Sequence, residues 1–231
     1  MSWVDLSAGL MWSAALVALW AALSASRTMG VRGRRAFMAL QLAIALWSAT
    51  AGIELLITSG AMGRHLLVAR IQYLGITTLP VLWLLFAGAY TNRLRRGDRR
   101  LGALWLIPIV TVLGAFTNDF HHLLWTDVVP RGPGDVLPTF VCGPLFWINW
   151  TYAYLLIAIG TVWLALSVRH FAGRYRVQLW LLILGVVAPW AGNLLYILGQ
   201  VPLPGLDMTP VAFAATGACF IAAVFHTKQR P

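Results

Sequence analysis

One acid and one base lie in otherwise apolar surroundings in the stretch Gly52–Arg70. Glu54 lies about eight residues before the polar break near Met62, and Arg70 lies about eight residues after it. If the flanking segments form a helical hairpin, both side chains lie at nearly the same membrane depth. An ionisable group at mid-bilayer costs roughly 2.5 to 3.5 kcal/mol on insertion scales, so it normally finds a partner. The spacing therefore predicts a Glu54–Arg70 pair, either as a clamp that fixes helix register or as part of an outward-facing ligand pocket.

Other polar side chains within apolar runs concentrate toward the same side of the membrane. The i, i+3, i+7 spacing of Arg70, Tyr73 and Thr77 places them on one helical face. Thr209 and Pro210 follow an aspartate in the pattern of a helix cap with proline in the first turn. Together these residues predict a polar, aromatic-lined outer cavity, the usual shape of a binding site. The further candidates for this cavity and its supporting helices are Asn149, Tyr152, Pro189, Asn193 and Asp207. For the two asparagines, hydrogen bonding between helices is the alternative role.

Composition places the chain in a membrane. Hydrophobic residues make up 60% of the 231 residues and charged residues only 10%, far from the values of soluble domains. Because a membrane helix needs about 20 apolar residues, the spans nearly fill the chain and leave no room for a catalytic domain. We expect a single all-α domain over residues 1–231, a bundle of seven transmembrane helices without enzymatic activity. The predicted spans are approximately 6–26, 36–59, 66–90, 101–116, 144–168, 177–198 and 208–225.

The basic residues indicate how the bundle is oriented. Of the 17 Lys and Arg residues, 14 fall in the first, third and fifth connections and the C-terminal tail, whereas most acidic residues fall on the opposite side. The positive-inside rule then places the N-terminus outside and the C-terminus in the cytoplasm. The net charge of +10 thus reports topology, and we expect no nucleic-acid partner.

The longest loop, residues 117–143, is predicted to lie outside. Its prolines and glycines indicate turns, between two short strands at about residues 124–129 and 136–141. Loops of this length are usually functional or disordered, so we expect an ordered lid over the outer mouth, with a solvated loop as the alternative. The histidines His65, His121 and His122 lack the spacing of a metal site. We expect no metal and no cofactor.

Several segments in order along the chain carry a family resemblance. They are Glu54 followed by ARIQYLG (69–75), LPVLWLLFAGAYT (79–91), TNDFHHLLW (117–125), TYAYLL (151–156), PWAGNLLYILG (189–199) and DMTPVAF (207–213). With these segments the chain resembles the N-terminal seven-transmembrane sensor region of bacterial histidine kinases.

The resemblance implies a multi-pass sensor in the inner (cytoplasmic) membrane of a bacterial cell. Its partners would be the lipid bilayer, an unknown small-molecule or lipid ligand, a cytoplasmic output domain or protein, and a second copy of the chain in a homodimer. Structural or ligand roles are implied for the following residues: Glu54, Arg70, Asn118, His121, Asn193, Asp207 and Pro210.

Two questions stay open at this stage. The family is typically fused to an output domain, and this sequence stops at HTKQRP, which is expected either for an isolated input module or for a stand-alone protein with a separate partner. The alternative functions are a small transporter or proton-coupled carrier that uses Glu54, and a membrane-embedded metal hydrolase.

Overall fold

The computed structural model shows a bundle of membrane-length helices with a small β-hairpin at one end. It describes residues 3–27, 32–57, 61–94, 98–129, 137–168, 173–197 and 209–228. In chain order the elements are α1 (Trp3–Arg27), α2 (Arg34–Leu55), α3 (Met62–Tyr90), a 3-10 helix (Arg99–Trp105), α4 (Leu106–Phe116), α5 (Asn118–His121), β1 (Trp125–Val129), β2 (Thr139–Cys142), α6 (Pro144–Ser167), α7 (Arg174–Ile197) and α8 (Thr209–Lys228).

Every predicted span coincides with a helix, and the fourth combines the 3-10 helix with α4. Five of the described helical segments are long and apolar enough to cross a bilayer, and helices α7 and α8 contain the shorter apolar stretches Leu179–Ala191 and Thr209–Ile221. The all-α membrane bundle is thus confirmed. The second span ends earlier than predicted, since α2 stops at Leu55.

Helix α3 lies at the centre of the bundle. In its most apolar window 72% of the residues are buried, against 22% in the window that covers α4. Close packing against α2 is possible because Gly75 has no side chain: a Cβ there would lie only 2.8 Å from the Ala43 carbonyl oxygen. Alanines along α1, such as Ala18 and Ala21, are fully buried in the same core. Small residues allow such close helix contacts in membranes.

The loop between α4 and α6 forms an antiparallel hairpin, in agreement with the predicted pair of strands. Strand β1 pairs with β2 through Val128 opposite Phe140 and Val129 opposite Thr139, and the register shifts between Trp125 and Asp127. Residues 130–136, which join the strands, lie outside the described residues.

Candidate functional site

Glu54 lies in the last turn of α2 and faces α3. Its side chain is buried, at 9% exposure, and its Oε2 accepts a hydrogen bond of 2.6 Å from Gln72 Nε2. Its Oε1 lies 3.8 Å from His65 Nδ1, within ion-pair distance if the imidazole carries a proton. The three side chains form a buried polar cluster, Glu54–Gln72–His65, between α2 and α3. The Gln72 amide satisfies one carboxyl oxygen where little water can reach it.

The predicted Glu54–Arg70 pair is wrong. Arg70 Nη2 instead donates a hydrogen bond of 2.5 Å to Asp119 Oδ1 on α5. The reason is helical geometry: His65 and Gln72 are seven residues apart and share a face of α3, whereas Arg70 is rotated by roughly 140° from His65 at 3.6 residues per turn. Equal depth along two helices did not guarantee that the side chains face each other.

Arg70 and Tyr73 do share a face, as predicted, and that face meets the hairpin. The Tyr73 ring contacts the Trp125 ring edge to face, with centroids 5.4 Å apart. The Trp125 ring in turn packs on the ring of Phe140 in the second strand, with centroids 4.9 Å apart. Both rings of the first pair are buried. The N-terminal half of α3 is therefore held on one side by α2 and on the other by the hairpin.

Asn118 fixes the chain as it enters the hairpin. Its Oδ1 accepts hydrogen bonds from the backbone N–H groups of Leu124 (2.9 Å) and Trp125 (3.1 Å), and its Nδ2 donates to the Trp125 carbonyl oxygen (2.9 Å). The side chain is 5% exposed. These three hydrogen bonds all join the side chain to backbone atoms, so Asn118 has a structural position in this loop.

His121 makes local contacts at the end of α5. Its Nδ1 accepts a hydrogen bond from the Leu123 N–H at 3.0 Å. Thr117 Oγ1 donates to the Leu113 carbonyl oxygen, so it accepts from His121 Nε2, 3.0 Å away. These contacts fit the neutral imidazole with its proton on Nε2, and they hold the ring within the turn.

The chain on the far side of the hairpin turn lies over the bundle. Leu137 packs against the cluster formed by Ala8, Met11 and Leu55, next to the buried Glu54. The described part of the long loop therefore contacts the N-terminal half of α1 and the C-terminal end of α2. Its role as a lid stays a prediction.

The other candidate residues lie on different helices. Tyr152 Oη donates to the Leu104 carbonyl oxygen at 2.7 Å, which ties α6 to the 3-10 helix. Asn193 Oδ1 accepts from Tyr154 Oη at 3.1 Å, between α7 and α6. Asn149 is buried on α6. These contacts match the alternative expected for the amides, hydrogen bonding between helices, for Asn193 at least.

The prolines occupy the positions that the sequence indicates. Pro189 is buried inside α7, and Pro210 is the second residue of α8, where its missing N–H costs no helical hydrogen bond. Asp207 lies outside the described residues. Within the described part of the chain, no three His, Cys, Asp or Glu side chains are grouped so that they could hold a metal ion.

Comparison with protein families shows which family the chain belongs to. The family described as the N-terminal 7TM region of histidine kinase matches residues 9–229, nearly the whole chain. The chain belongs to this family. It is a membrane-embedded sensor region with the seven-helix architecture that the sequence predicts. Neither the comparison with curated proteins nor that with solved structures gives a significant match.

Three residues of the site escaped the sequence analysis of this sensor region. Gln72 and His65 are the partners of Glu54, and Asp119 is the partner of Arg70. The signal for the first two was present, because polar residues seven apart in an apolar helix mark one polar face. Asp119 gave no such signal, since only the fold of the loop brings it to α3.

Proposed function

We propose that residues 1–231 form a single input domain that detects a ligand or a membrane state at its outer end and passes a displacement to a cytoplasmic output domain or protein. In this proposal the N-terminus and the hairpin lie outside the inner membrane of a bacterial cell. The positive-inside distribution of the basic residues supports that orientation. Catalysis belongs to the output part.

The observation that carries the proposal is that α3 makes contacts at both of its ends. Its outer end holds Gln72 in the polar cluster and Tyr73 against the hairpin. Near its other end, the fully buried Phe86 lies 5.4 Å from the ring of Phe37 on α2 and 5.6 Å from that of Phe220 on α8. One helix thus connects the outer cluster with the packing of the last helix, from which the cytoplasmic part would follow.

The middle of α3 lacks one backbone hydrogen bond. Pro80 lies inside the helix and has no N–H to bond the Ile76 carbonyl oxygen, which weakens the helix locally. A change at the outer cluster can therefore tilt the outer part of α3 relative to the inner part. Since packed cores switch between discrete arrangements, such a tilt would alter how Phe86 packs on Phe220.

The test joins the chain after α8 to a histidine kinase catalytic core and measures autophosphorylation in membrane vesicles. Gln72→Met at the outer cluster and Phe86→Ala at the inner contact should each change basal phosphorylation several-fold at equal protein abundance. Leu184→Ala, at 61% exposure on α7, is the control and should leave it unchanged. If both core variants fold and phosphorylate like the parent, the proposal fails.

The proposed orientation has its own test in intact cells. In a chain with Cys142→Ser and Cys219→Ala, a cysteine in place of Phe120, which is 88% exposed beside the hairpin, should react with a membrane-impermeant maleimide. A cysteine in place of the exposed Arg99 should react only after the cells are permeabilised. The reverse pattern would place the hairpin in the cytoplasm.

A proton-coupled carrier is the second candidate function, because the buried Glu54 lies beside His65. Carboxylate and histidine chains inside membranes are typical of proton relays. Solute uptake into proteoliposomes that is abolished by Glu54→Gln would favour the carrier. Uptake equal to that of empty liposomes would leave the sensor.

A homodimer is part of the proposal by analogy with sensors of this kind. The exposed face of α1, with Leu16 at 67% and Leu23 at 61% exposure, faces lipid or a second copy. Cross-linking in native membranes between cysteines placed at Leu16 of two copies would support this face as the dimer contact. A monomer by mass in lipid nanodiscs would contradict it.

A further inference from the structure

Arg70 is a charged residue within α3, a helix long and apolar enough to cross a bilayer. Its side chain is nevertheless 16% exposed, so part of it can be reached from outside the bundle. Charged side chains inside membrane helices are costly, and they normally have a partner or a function. What each nitrogen of the guanidinium group contacts therefore shows which part of the side chain is available to a ligand.

The three guanidinium nitrogens of Arg70 differ in their surroundings. Nη2 donates a hydrogen bond to Asp119 Oδ1, and Nε is buried without a hydrogen-bond partner among the described residues. Nη1 makes no hydrogen bond to a described residue and is not among the side-chain atoms that are cut off from solvent. A ligand can thus reach Arg70 at Nη1, although it cannot reach Nε.

Asp119 holds the other terminal nitrogen only weakly. It accepts the hydrogen bond from Nη2 through a single oxygen, Oδ1, and its side chain is 62% exposed. Ion pairs with an exposed partner contribute little to stability, because water solvates the released carboxylate almost as well. A group that binds Nη1 and Nη2 together can therefore displace Asp119 from Arg70.

A carboxylate or a phosphate group fits these two nitrogens. Arginine presents its N–H groups in a planar fork, and both anions carry pairs of oxygens that accept two parallel hydrogen bonds from it. A neutral ligand would leave the mostly buried guanidinium without a counter-charge once Asp119 is displaced, which is unfavourable, and a cation would be repelled. The contacts of Arg70 thus favour an anion, carried either by a lipid headgroup or by a free molecule.

We propose that Arg70 binds the carboxylate or phosphate group of a ligand through Nη1 and Nη2, and that this group displaces Asp119. The inference rests on the proposed sensor function, since it names the class of ligand that the bundle detects, but the binding step can be measured without an output domain. The neighbouring Asn118 holds the backbone of Leu124 and Trp125. Release of Asp119 would therefore remove a contact between α3 and the segment that leads into the hairpin.

The test uses the full chain in dodecyl maltoside micelles, which carry no anionic group, and isothermal titration calorimetry in a buffer without carboxylate or phosphate. The probes are acetate, inorganic phosphate and dihexanoyl phosphatidylglycerol. We expect saturable binding of at least one probe. Tighter binding of the phospholipid would identify a lipid headgroup as the source of the anion, and tighter binding of acetate or phosphate would identify a free anion. No saturable binding of any probe would overturn the proposal.

A pair of arginine variants on α3 tests whether the anion binds at Arg70. Arg70→Gln should weaken the binding of the preferred probe by about tenfold or more, since hydrogen bonds between charged groups are lost. Arg64→Gln removes the same charge from an exposed position in the first turn of α3, and should leave the affinity unchanged. Equal losses of affinity in the two variants would show general attraction by positive charge and would overturn the site.

A pair of aspartate variants tests the displacement step and also decides the matter if Arg70→Gln does not fold. Asp119→Asn removes the competing carboxylate and should tighten binding by roughly two- to fivefold, the factor expected for an exposed ion pair. Asp127→Asn removes a carboxylate from an exposed position of β1, and should have no effect. Unchanged or weaker binding in Asp119→Asn, or equal tightening in both variants, would contradict the displacement of Asp119.

The binding measurement separates this inference from the proposed function. If no probe binds while Gln72→Met and Phe86→Ala still change phosphorylation in the chain joined to a kinase core, the anion site is refuted and the sensor function stands. If a probe binds at Arg70 and leaves phosphorylation unchanged, the anion site is supported and the sensor function is contradicted.

Discussion

Replacing Gln72 by methionine tests the polar cluster between α2 and α3. The change keeps the side-chain length but removes the donor that binds Glu54 Oε2 at 2.6 Å. Because Glu54 is 9% exposed, water cannot replace this donor fully. Leaving a buried acceptor unsatisfied costs about 1 to 3 kcal/mol, so we expect a loss of unfolding free energy in that range.

The Arg70–Asp119 ion pair provides a weaker interaction with which the free-energy cost of Gln72→Met can be compared. The Asp119 side chain is 62% exposed and that of Arg70 16%, so solvent screens the pair on one side. Ion pairs with an exposed partner contribute about 0.2 to 1 kcal/mol. Asp119→Asn should therefore cost less than about 1 kcal/mol and less than Gln72→Met.

Unfolding by SDS in mixed micelles, followed by far-ultraviolet circular dichroism, gives these free energies and also a double-mutant cycle. Glu54→Gln combined with Gln72→Met should show a coupling energy, because the two side chains are in contact. Glu54→Gln combined with Arg70→Met should be nearly additive. A larger coupling between Glu54 and Arg70 than between Glu54 and Gln72 would refute the arrangement of the cluster.

Three further predictions concern packing, the hairpin and a thiol. Gly75→Ala should destabilise the bundle by about 1 to 3 kcal/mol, because its Cβ would meet the Ala43 carbonyl oxygen at 2.8 Å. Gly63→Ala, with open space around it, should not destabilise the bundle, and equal melting temperatures of the two variants would contradict this packing. Asn118→Ala removes three hydrogen bonds and should cost about 2 to 4 kcal/mol, visible as faster hydrogen exchange in the hairpin; unchanged protection would be evidence against its role. Burial raises the pKa of the Cys142 thiol. In a Cys219→Ala chain, alkylation of Cys142 at neutral pH should therefore be slower than that of a free cysteine, and it should accelerate as pH rises. An alkylation rate equal to that of the free thiol would contradict the burial of Cys142.

The sequence predicted the elements of this bundle well because each rests on a local pattern. Apolar runs bounded by charge indicated all seven spans, and turn residues indicated the two strands of the hairpin. The end of α2 was placed four residues too late, since Ile57 and its neighbours are as apolar as a span. Hydropathy alone does not show where a helix stops.

The contacts of the site were harder to predict because they depend on how helices rotate and how the loop folds. Membrane depth suggested Arg70 for Glu54, yet rotation about α3 directs Arg70 toward the loop and Gln72 toward α2. Likewise, Gln41 stands in a run of apolar residues and gave no sign that it lines a cavity where α2, α3, α6, α7 and α8 meet.

The distance between the C-terminal end of α1 and helix α8 tests most directly whether α3 connects the Glu54–Gln72–His65 cluster to the last helix. Spin labels at a cysteine replacing the exposed Ser26 and at the native, exposed Cys219, with Cys142→Ser, report this distance by pulsed electron paramagnetic resonance in nanodiscs. We predict that Gln72→Met shifts the distance distribution, whereas Gly63→Ala leaves it unchanged. Identical distributions for Gln72→Met and the parent, with both proteins folded, would contradict the coupling through α3.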